Sequence, residues 1–563
     1  MSGEFPVALI LILGGALVPL VRGRLRAGFM LILPVAAFAY LLMLPHGAHG
    51  QVHFLGQTLV LMRVDRLSLL FGYIFLIAAF LNVIYALHVE DTGQHVSGLV
   101  YAGSALGAVF AGDLLTLFVY WELTAVSSVM LIWARGTERA RRAGMRYVLI
   151  HLLSGMFLLA GALLHWQGSN SLEFGRIGLS SPGGALILVG FGIKCAFPLL
   201  HNWLQDAYPE ATVTGTVMLS AFTTKLGIYA LARGFPGTEM LIWVGALMTA
   251  FPIFYAVIEN DLRRVLAYSM NNQLGFMVAG IGIGSELAVN GAVAHAFADI
   301  LFKALLFMSM GAVLLRAGTI KGSELGGLYK SMPWTTGFCI VGAASISAFP
   351  LFSAFVTKSM VMAAAAEEGY VVIWLVLLFA SAGVFHHAGI KIPYFAFFAH
   401  DSGIRCREAP LNMLVAMGLT ALLCVGIGVF PAALYSILPY AVNYVPYTAV
   451  HVVDQLQLLV FSALAFAFLM RTGIYPPELR STNLDFDWFY RVPCRNLARG
   501  LADALARSGQ RFEQSVARQT MQWGGQLYRQ RGAGGILGRT RPTGSMALWA
   551  VILLLAYLLL YYL

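Results

Sequence analysis

The amino-acid sequence predicts an all-α protein that crosses a membrane many times. Of its 563 residues, 59% are hydrophobic and only 11% are charged, whereas soluble domains carry about 25% charged residues. Apolar windows recur along the chain, each long enough to span a bilayer. The net charge of +10 fits arginines gathered on one side of a membrane, so we expect the lipid bilayer and no nucleic acid as a partner.

Sixteen apolar windows predict sixteen membrane spans. They lie at 5–21, 27–44, 67–88, 97–111, 113–134, 146–166, 184–208, 212–232, 239–258, 265–283, 287–315, 334–366, 371–390, 411–435, 452–470 and 546–562. In the first of them the charges follow the apolar run instead of preceding it. We therefore interpret it as a retained span and not as a cleaved signal peptide.

The positions of the basic residues provide a test of the sixteen predicted spans. The loops after spans 1, 5, 9, 11 and 13 are rich in arginine and lysine, whereas loops 45–64 and 436–451 are nearly free of them. All the basic loops follow odd-numbered spans and so lie on one side, which the positive-inside rule assigns to the cytoplasm. We therefore expect a multi-pass protein of the bacterial inner membrane, with a periplasmic N-terminus and a cytoplasmic segment 471–545.

Two spans contain a proline near a lysine. Pro198 interrupts span 7 just after Lys194, and Pro350 interrupts span 12 before Lys358. Proline breaks a helix, and broken helices at matching places in two halves indicate an inverted repeat with an ion site at the breaks. Spans 4–8 and 9–13 each hold five segments with the break in the fourth, so we interpret Lys358 as the counterpart of Lys194.

This organisation divides the chain into six segments. They are spans 1–3 (1–96), the first five-helix repeat (97–232), the second five-helix repeat (239–390), spans 14–15 (391–470), a hydrophilic segment (471–545) and a C-terminal span (546–563). Apolar residues in the hydrophilic segment recur at helical spacing, which predicts an amphipathic helix. They are Leu497, Leu501, Leu505, Phe512 and Val516. This helix would lie on the membrane surface or against a partner, or would serve stability alone.

Motifs of catalytic chemistry are missing from the sequence. It has no phosphate-binding loop, nucleophile elbow or zinc-protease motif. Its five cysteines form no CxxC pair, which argues against iron–sulfur clusters and structural zinc. We therefore expect no catalytic residue, no metal and no bound cofactor in this chain.

Ionisable residues lie instead in the middle of predicted spans. They are Glu122, Lys194, Lys225, Lys303 and Lys358. A charge at bilayer depth is costly and persists mainly where it faces a polar cavity or a partner. A repeated series of such groups therefore indicates an ion path. For Glu122 the alternative is an ion pair that only fixes helix packing, and for Lys194 it is snorkelling to the interface.

Span 11 carries the most specific local pattern. His295, Asp299 and Lys303 are spaced at i, i+4 and i+8, which keeps them within a sector of about 80° over ~12 Å of helix. Three ionisable types on one stripe of a membrane helix are difficult to explain as packing. We interpret them as stepping stones for protons, linked by water.

A second group of residues are relay candidates. His201 follows the break of span 7, and His386, His387 and Lys391 lie near the cytoplasmic end of span 13. Histidine titrates near neutral pH, but a satisfied polar group at His201 and an interfacial cluster at the other three are the alternatives. Asp113, at the outer edge of span 5, is expected to be an exposed terminus residue.

Several motifs resemble those of a known family. They are the run Gly192-Ile-Lys-Cys-Ala-Phe-Pro-Leu-Leu-His-Asn-Trp-Leu-Gln-Asp-Ala207, Asp261-Leu-Arg-Arg-Val-Leu-Ala-Tyr-Ser269, Gln273-Leu-Gly-Phe-Met277, His295-Ala-Phe297, Lys303-Ala-Leu-Leu-Phe307, Glu324-Leu-Gly-Gly-Leu328 and Met332-Pro333. Over roughly residues 65–400 the chain resembles the antiporter-like, proton-translocating subunits of respiratory complex I, membrane hydrogenases and Mrp-type Na⁺/H⁺ antiporters. Its tail and last span look most similar to the D-type subunit of the Mrp antiporters.

The resemblance implies a core of about fourteen helices, two inverted five-helix repeats, and breaks in helices 7 and 12. It implies that Glu122 and Lys194 form a modulating ion pair. Lys225, His295 and Lys303 would be central relays, and Lys358 the exit-side residue. No bound cofactor is implied.

Three positions depart from the family pattern. The usual glycine before the lysine of helix 12 is Ala354, and the usual Pro-Pro is Pro350-Leu351, so the break of helix 12 is expected to differ in geometry. Asp299 replaces an apolar residue or histidine, which would tune the central relay or suit a different ion.

We interpret the chain as a proton-translocating subunit of a multisubunit cation (Na⁺)/proton antiporter, working with other membrane subunits and moving protons and Na⁺. The alternatives are a subunit of a complex I-like NADH dehydrogenase or hydrogenase, and a proton-coupled subunit of an inorganic-carbon uptake complex. A scaffold with an inactive ion path is a further alternative. An enzymatic role is open only in the redox-driven case, because this chain has no catalytic chemistry of its own.

Overall fold

The computed structural model describes residues 5–54, 56–476, 478–479, 483–535, 538–539 and 542–563. They divide into two compact units, Met1–Asn483 and Leu484–Leu563. Apart from one two-stranded hairpin, the regular structure of the described residues is helical. The predicted all-α membrane fold is confirmed.

The first unit opens with α1 (Ala8–Leu17), α2 (Gly23–Met43), β1 (Gly47–Phe54), β2 (Gln57–Val64) and α3 (Arg66–Ala86). The first repeat comprises α4 (Thr92–Phe110), α5 (Leu114–Trp133), α6 (Glu138–Ser169), α7 (Gly184–Lys194), α8 (Asn202–Ala207) and α9 (Val213–Gly234). The second repeat comprises α10 (Glu239–Ile258), α11 (Leu262–Ile283), α12 (Glu286–Ala317), α13 (Pro333–Ile346), α14 (Ser353–Glu367) and α15 (Val371–Val384).

The helix of α15 continues through two π-helical turns, Phe385–Ile390 and Tyr394–Phe398, with α16 (Lys391–Pro393) between them. The remaining helices of the first unit are α17 (Leu411–Val429), α18 (Pro431–Tyr435) and α19 (Ala449–Thr472). The second unit comprises α20 (Asp487–Phe489), a π-helical turn (Tyr490–Cys494), α21 (Arg495–Arg531) and α22 (Thr543–Tyr562).

Each predicted span contains one helix or a pair of broken helices. Among the described residues, ten helices are long and apolar enough to cross a membrane. The apolar window of α12 is 89% buried, whereas that of α19 is 11% buried. The stripe of ionisable residues predicted in span 11 therefore lies on the central helix of the first unit.

The two broken spans share one backbone conformation. Both breaks have the sequence Ala-Phe-Pro-Leu, at 196–199 and at 348–351. The alanines have φ of 57° and 56°, and the leucines 70° and 75°. Left-handed geometry costs an L-residue roughly 1–2 kcal/mol, so each break holds strained positions at the same two places. The break at Pro350-Leu351 therefore has the same left-handed positions as the break in span 7.

The ends of the repeats match as well. Asp113 forms an isolated antiparallel bridge with Glu173, and Asp261 forms one with Lys321. Each aspartate also caps the following helix, because Asp113 accepts from the Thr116 amide at 2.7 Å and Asp261 from the Arg263 amide at 2.9 Å. The two segments predicted as five-helix repeats therefore share both the geometry of their breaks and the capped aspartate at their ends.

The alignment of the breaks corrects one detail of the sequence analysis. With the two Ala-Phe-Pro-Leu segments superposed, Ile346 and not Lys358 occupies the position of Lys194. Lys194 ends the helix before its break, whereas Lys358 lies in the helix after its break. The two lysines therefore reach the broken region from opposite sides.

The hairpin explains why the expectation for Asp113 is wrong. Residues 45–64 are not a plain loop, because β1 and β2 pair antiparallel there, with Gly47 opposite Val64. The Val60 amide of β2 donates to Asp113 Oδ2 at 2.8 Å. The hairpin covers the start of α5, so Asp113 is 2% exposed and acts as a buried cap.

The second unit contains the predicted amphipathic helix. The 37-residue helix α21 includes all five apolar residues predicted to share a stripe. Their side chains are 45–73% exposed. An apolar stripe of this kind is typical of a helix that contacts a membrane surface or a partner.

Candidate functional site

The ionisable residues predicted at bilayer depth are buried inside the first unit. The side chains of Lys194, Lys225, His295, Asp299 and Lys303 are 0% exposed, and that of Lys358 is 2% exposed. Because buried charges must be paired or hydrogen-bonded, their partners decide what each can do.

Lys194 is held by neutral groups. Its Nζ donates to the Trp121 carbonyl at 2.9 Å and to Thr124 Oγ1 at 2.5 Å, and it lies 4.0 Å from the centre of the Trp121 ring. The helix ends at this lysine, and Trp203 Nε1 from the other half of the broken span satisfies the Ile193 carbonyl at 3.0 Å. The break therefore places the ammonium among dipoles and an aromatic face.

Glu122 lies beside this group but is not paired with it. Among the described residues it forms no ion pair with Lys194, and its Oε1 has no hydrogen-bond partner. The carboxylate packs against Gly155 of α6, where an added Cβ would lie 1.4 Å from Oε1. The residue is only half-buried. The two partners implied by the resemblance are therefore neighbours that do not touch.

A series of hydroxyl groups connects α5, near Lys194, with the central helix α9. Ser128 Oγ is 2.9 Å from Tyr147 Oη, which is 3.2 Å from Thr223 Oγ1. Thr223 also hydrogen-bonds to Tyr101. Thr223 lies on α9, two residues before Lys225, so these hydroxyls connect the α5–α6 side with the central helices.

His151 of α6 is a polar residue that the sequence analysis missed. It is 0% exposed, and neither ring nitrogen has a hydrogen-bond partner among the described residues. Its ring lies 4.3 Å from that of Tyr147 and 4.4 Å from that of Trp203. The i, i+4 spacing of Tyr147 and His151 on a membrane helix was the available signal.

An ion pair joins the two repeats at their centre. Lys225 Nζ of α9 lies 2.6 Å from Asp299 Oδ2 of α12, with both side chains 0% exposed. Lys225 also donates to the Ser220 carbonyl at 3.1 Å. Asp299, the departure from the family pattern, is thus the counter-charge of a fully buried lysine.

The rest of the α12 stripe is hydrogen-bonded to neighbouring helices. Lys303 Nζ donates to Ser269 Oγ at 2.7 Å. His295 Nδ1 is 3.0 Å from Thr357 Oγ1, and its Nε2 is 3.0 Å from Gln273 Oε1. The i, i+4 spacing keeps Asp299 between these two residues.

Lys358 is also held by neutral groups. Its Nζ is 3.4 Å from the Ile346 carbonyl, which the break leaves free, and 4.8 Å from the centre of the Phe276 ring. Among the described residues it has no ion-pair partner, so both lysines near breaks are held by neutral groups.

The relay candidates are divided between two places. His201 is 2% exposed, with its ring 4.7 Å from that of Phe251. His386, His387 and Lys391 lie together at the π-helical end of span 13, where the side chains of His387 and Lys391 are buried. Sequence reasoning could not find Glu478, the ion-pair partner of Lys391, because it comes from a separate segment after α19.

A family model described as "NADH:quinone oxidoreductase/Mrp antiporter, TM" matches residues 111–385. NADH-quinone oxidoreductase subunit N of Desulforudis audaxviator is 30% identical over 60% of this chain and 73% of its own length. The chain belongs to this family. The matched residues include Glu122, Lys194, Lys225, His295, Asp299, Lys303 and Lys358.

Another family member belongs to an antiporter. The D-type subunit of the Na⁺/H⁺ antiporter from Alkalihalophilus pseudofirmus is 30% identical over 50% of this chain. The match covers 62% of the relative, so the chain spans about three fifths of that protein's length.

A solved structure shows the same fold. A chain of the membrane-bound sulfane sulfur reductase, an archaeal respiratory membrane complex, superposes with a TM-score of 0.71 at 21% identity. The match covers 98% of this chain and 99% of that chain. The likeness extends to both units of the described structure.

Proposed function

We propose that this chain is the proton-translocating membrane subunit of a multisubunit cation/proton antiporter, with Na⁺ as the expected cation. The observation that carries the proposal is the Lys225–Asp299 ion pair, 0% exposed at the centre of a row of further buried ionisable residues. One buried pair would suffice to fix packing. It would not require Lys303, His295 and Lys358 beside it, each costly to bury.

The row moves protons by changing partners. Lys194 needs only to leave the Trp121 and Thr124 oxygens to approach Glu122, because both groups lie at the same end of the row. A positive charge shifted toward Glu122 favours proton transfer through the hydroxyls near Thr223. When the Lys225–Asp299 ion pair opens, a proton passes to the ionisable residues of α12 and then to Lys358.

The membrane location and partners are part of the same proposal. The subunit lies in the bacterial inner membrane with its basic loops in the cytoplasm, beside other membrane subunits. The names of the antiporter relative and of the sulfane sulfur reductase complex support an assembly of several chains.

A second candidate is a subunit of a redox-driven proton pump. The 30% identity to a NADH-quinone oxidoreductase subunit, over 73% of that protein, favours it. The same buried row would serve, with electron transfer in a partner supplying the energy.

One experiment distinguishes the two candidates. Inverted membrane vesicles containing the complete complex are given a preset pH gradient and then a pulse of NaCl, KCl or an electron donor. We expect a Na⁺ pulse to dissipate the gradient, and the dissipation to disappear in Lys303→Met. A gradient built only by the electron donor would contradict antiport and support the second candidate.

A further inference from the structure

A buried carboxylate reaches the end of the second repeat from outside the repeat. After α19 the chain turns back, and Glu478 Oε1 lies 2.8 Å from Lys391 Nζ. The side chains of Lys391 and Glu478 are 0% and 6% exposed. Glu478 lies beyond residues 111–385, which match the family model.

Lys391 is fixed by backbone groups as well. Its Nζ contacts the carbonyls of Ala256, Val257 and Glu259 at 3.2, 2.6 and 2.7 Å. These carbonyls are at the C-terminal end of α10, where the helix dipole favours a cation. The ammonium therefore stays in place whether or not Glu478 is ionised.

The other side of Glu478 lines a cavity. This cavity of about 310 Å³ is also lined by Ser323, His400 and Tyr475. Its walls come from the segments after spans 11, 13 and 15, which the positive-inside rule assigns to one side of the membrane. Glu478 thus contacts an open cavity on one side and a buried cation on the other.

Two histidines, His386 and His387, lie near the Lys391–Glu478 pair. Tyr475 stacks on His386 with ring centres 5.5 Å apart. His387 is 0% exposed, and neither of its ring nitrogens has a hydrogen-bond partner among the described residues. The other charged pair facing the site is Glu259 with Arg264, at 3.9 Å.

We propose that Glu478 carries protons between this cavity and the buried row, and closes the row when it is paired with Lys391. This inference rests on the proposed function. A hydronium ion in the cavity gives a proton to the carboxylate, which forms an O–H bond and releases water. The neutral carboxyl no longer pairs with Lys391. Transfer of its proton to a histidine restores the carboxylate and closes the row again.

The electrostatics of Glu478 suit this role. Burial raises the pKa of its carboxyl, and Lys391 offsets only part of the rise. A raised folded-state pKa means that the folded protein binds this proton more tightly than the unfolded chain. Glu478 therefore stabilises the fold most at low pH, and the contribution is lost as pH rises through its pKa.

Proton flux in vesicles containing the complete complex, followed against pH, tests the inference. Glu478→Gln keeps the shape but cannot titrate, so we expect a flux at least about tenfold lower and loss of the acid limb of the pH profile. Glu478→Asp keeps the titrating group and should recover much of the flux, with a shifted limb. The matched control is Asp401→Asn, since Asp401 pairs with Lys330 and Arg405 on the same side at 37% exposure.

The following outcomes decide whether the inference about Glu478 holds. Wild-type flux and pH profile in Glu478→Gln would overturn the inference, and if that variant fails to fold, an unshifted profile in Glu478→Asp would do so. Lys303→Met in the same vesicles distinguishes failure of this inference from failure of the proposed function. If it abolishes flux while Glu478→Gln does not, only this inference fails; if neither variant changes flux, the proposed function fails as well.

Discussion

Lys194 and Lys225 are both fully buried lysines of the first repeat, yet they are stabilised in different ways. Lys194 contacts a carbonyl, a hydroxyl and an aromatic ring, whereas Lys225 is paired with Asp299 of the second repeat at 2.6 Å. In the Lys225–Asp299 pair, removal of either charge alone would leave the other charge buried without its partner, which would destabilise the protein. The contacts of Lys194 leave that lysine able to lose its proton or its partners with little effect on neighbouring charges.

The difference separates two tasks within one buried row. The Lys225–Asp299 ion pair joins α9 to α12, and in the proposed mechanism it also serves as a relay. In the proposed mechanism Lys194 changes partners, because its neighbour Glu122 forms no ion pair with it among the described residues. Variants at the two places should therefore separate stability from transport.

Asp299→Asn should give the largest loss of stability. It leaves Lys225 buried without a counter-charge, and breaking such a pair costs about 3–5 kcal/mol. Thermal unfolding of the purified protein in detergent measures the effect. The double variant Lys225→Met/Asp299→Asn removes both charges and should recover most of the loss. Equal destabilisation of the single and double variants would contradict a tight ion pair.

Gly155→Ala should have an intermediate effect at the Lys194 end. The new methyl group would overlap Glu122 Oε1, so the carboxylate must move, at a cost of about 1–3 kcal/mol. The matched control is Gly28→Ala in α2, where nothing lies within 4 Å of the added atom. Unfolding curves that are alike for both variants would show that Glu122 does not pack against α6.

Replacing the left-handed alanines at the breaks by glycine should stabilise the protein slightly, whereas Asp299→Asn and Gly155→Ala destabilise it. Ala196→Gly and Ala348→Gly relieve the left-handed φ, which should raise the free energy of unfolding by about 0.5–1 kcal/mol after the entropy of the unfolded chain is counted. Ala343→Gly in α13 is right-handed and should lower it by about 0.5–1 kcal/mol. A loss of stability in all three variants would contradict the shared strained conformation.

Lys194→Met should change stability no more than the glycine variants do. Methionine has a similar volume, and no buried counter-charge is left behind, so we expect a shift within about 1 kcal/mol. The same unfolding assay measures it. A loss as large as that of Asp299→Asn would mean that Lys194 is paired with Glu122 in the folded protein.

Much of this arrangement follows from sequence because it depends on local rules. Apolar length gave the spans, and Pro198 and Pro350 marked the breaks. The i, i+4, i+8 pattern from His295 to Lys303 identified the central stripe. Each of these depends on the period of one helix or on one residue's backbone chemistry.

What the sequence did not predict depends on contacts between distant segments. Asp113 is buried because a hairpin covers it, and the pattern of span 5 alone contains no sign of that. The distance between Glu122 and Lys194 is set by how α5, α6 and α7 pack. Glu478 lies in a hydrophilic segment, and only the fold places it against Lys391.

The initial rate of proton movement by Lys194→Met, in vesicles containing the complete complex, tests the central claim most directly. The matched control is Lys330→Met, which removes a lysine that is 46% exposed. We predict that Lys194→Met lowers the rate at least about 100-fold with unchanged protein stability, while Lys330→Met stays close to wild type. A wild-type rate in Lys194→Met would contradict a proton path through the buried row.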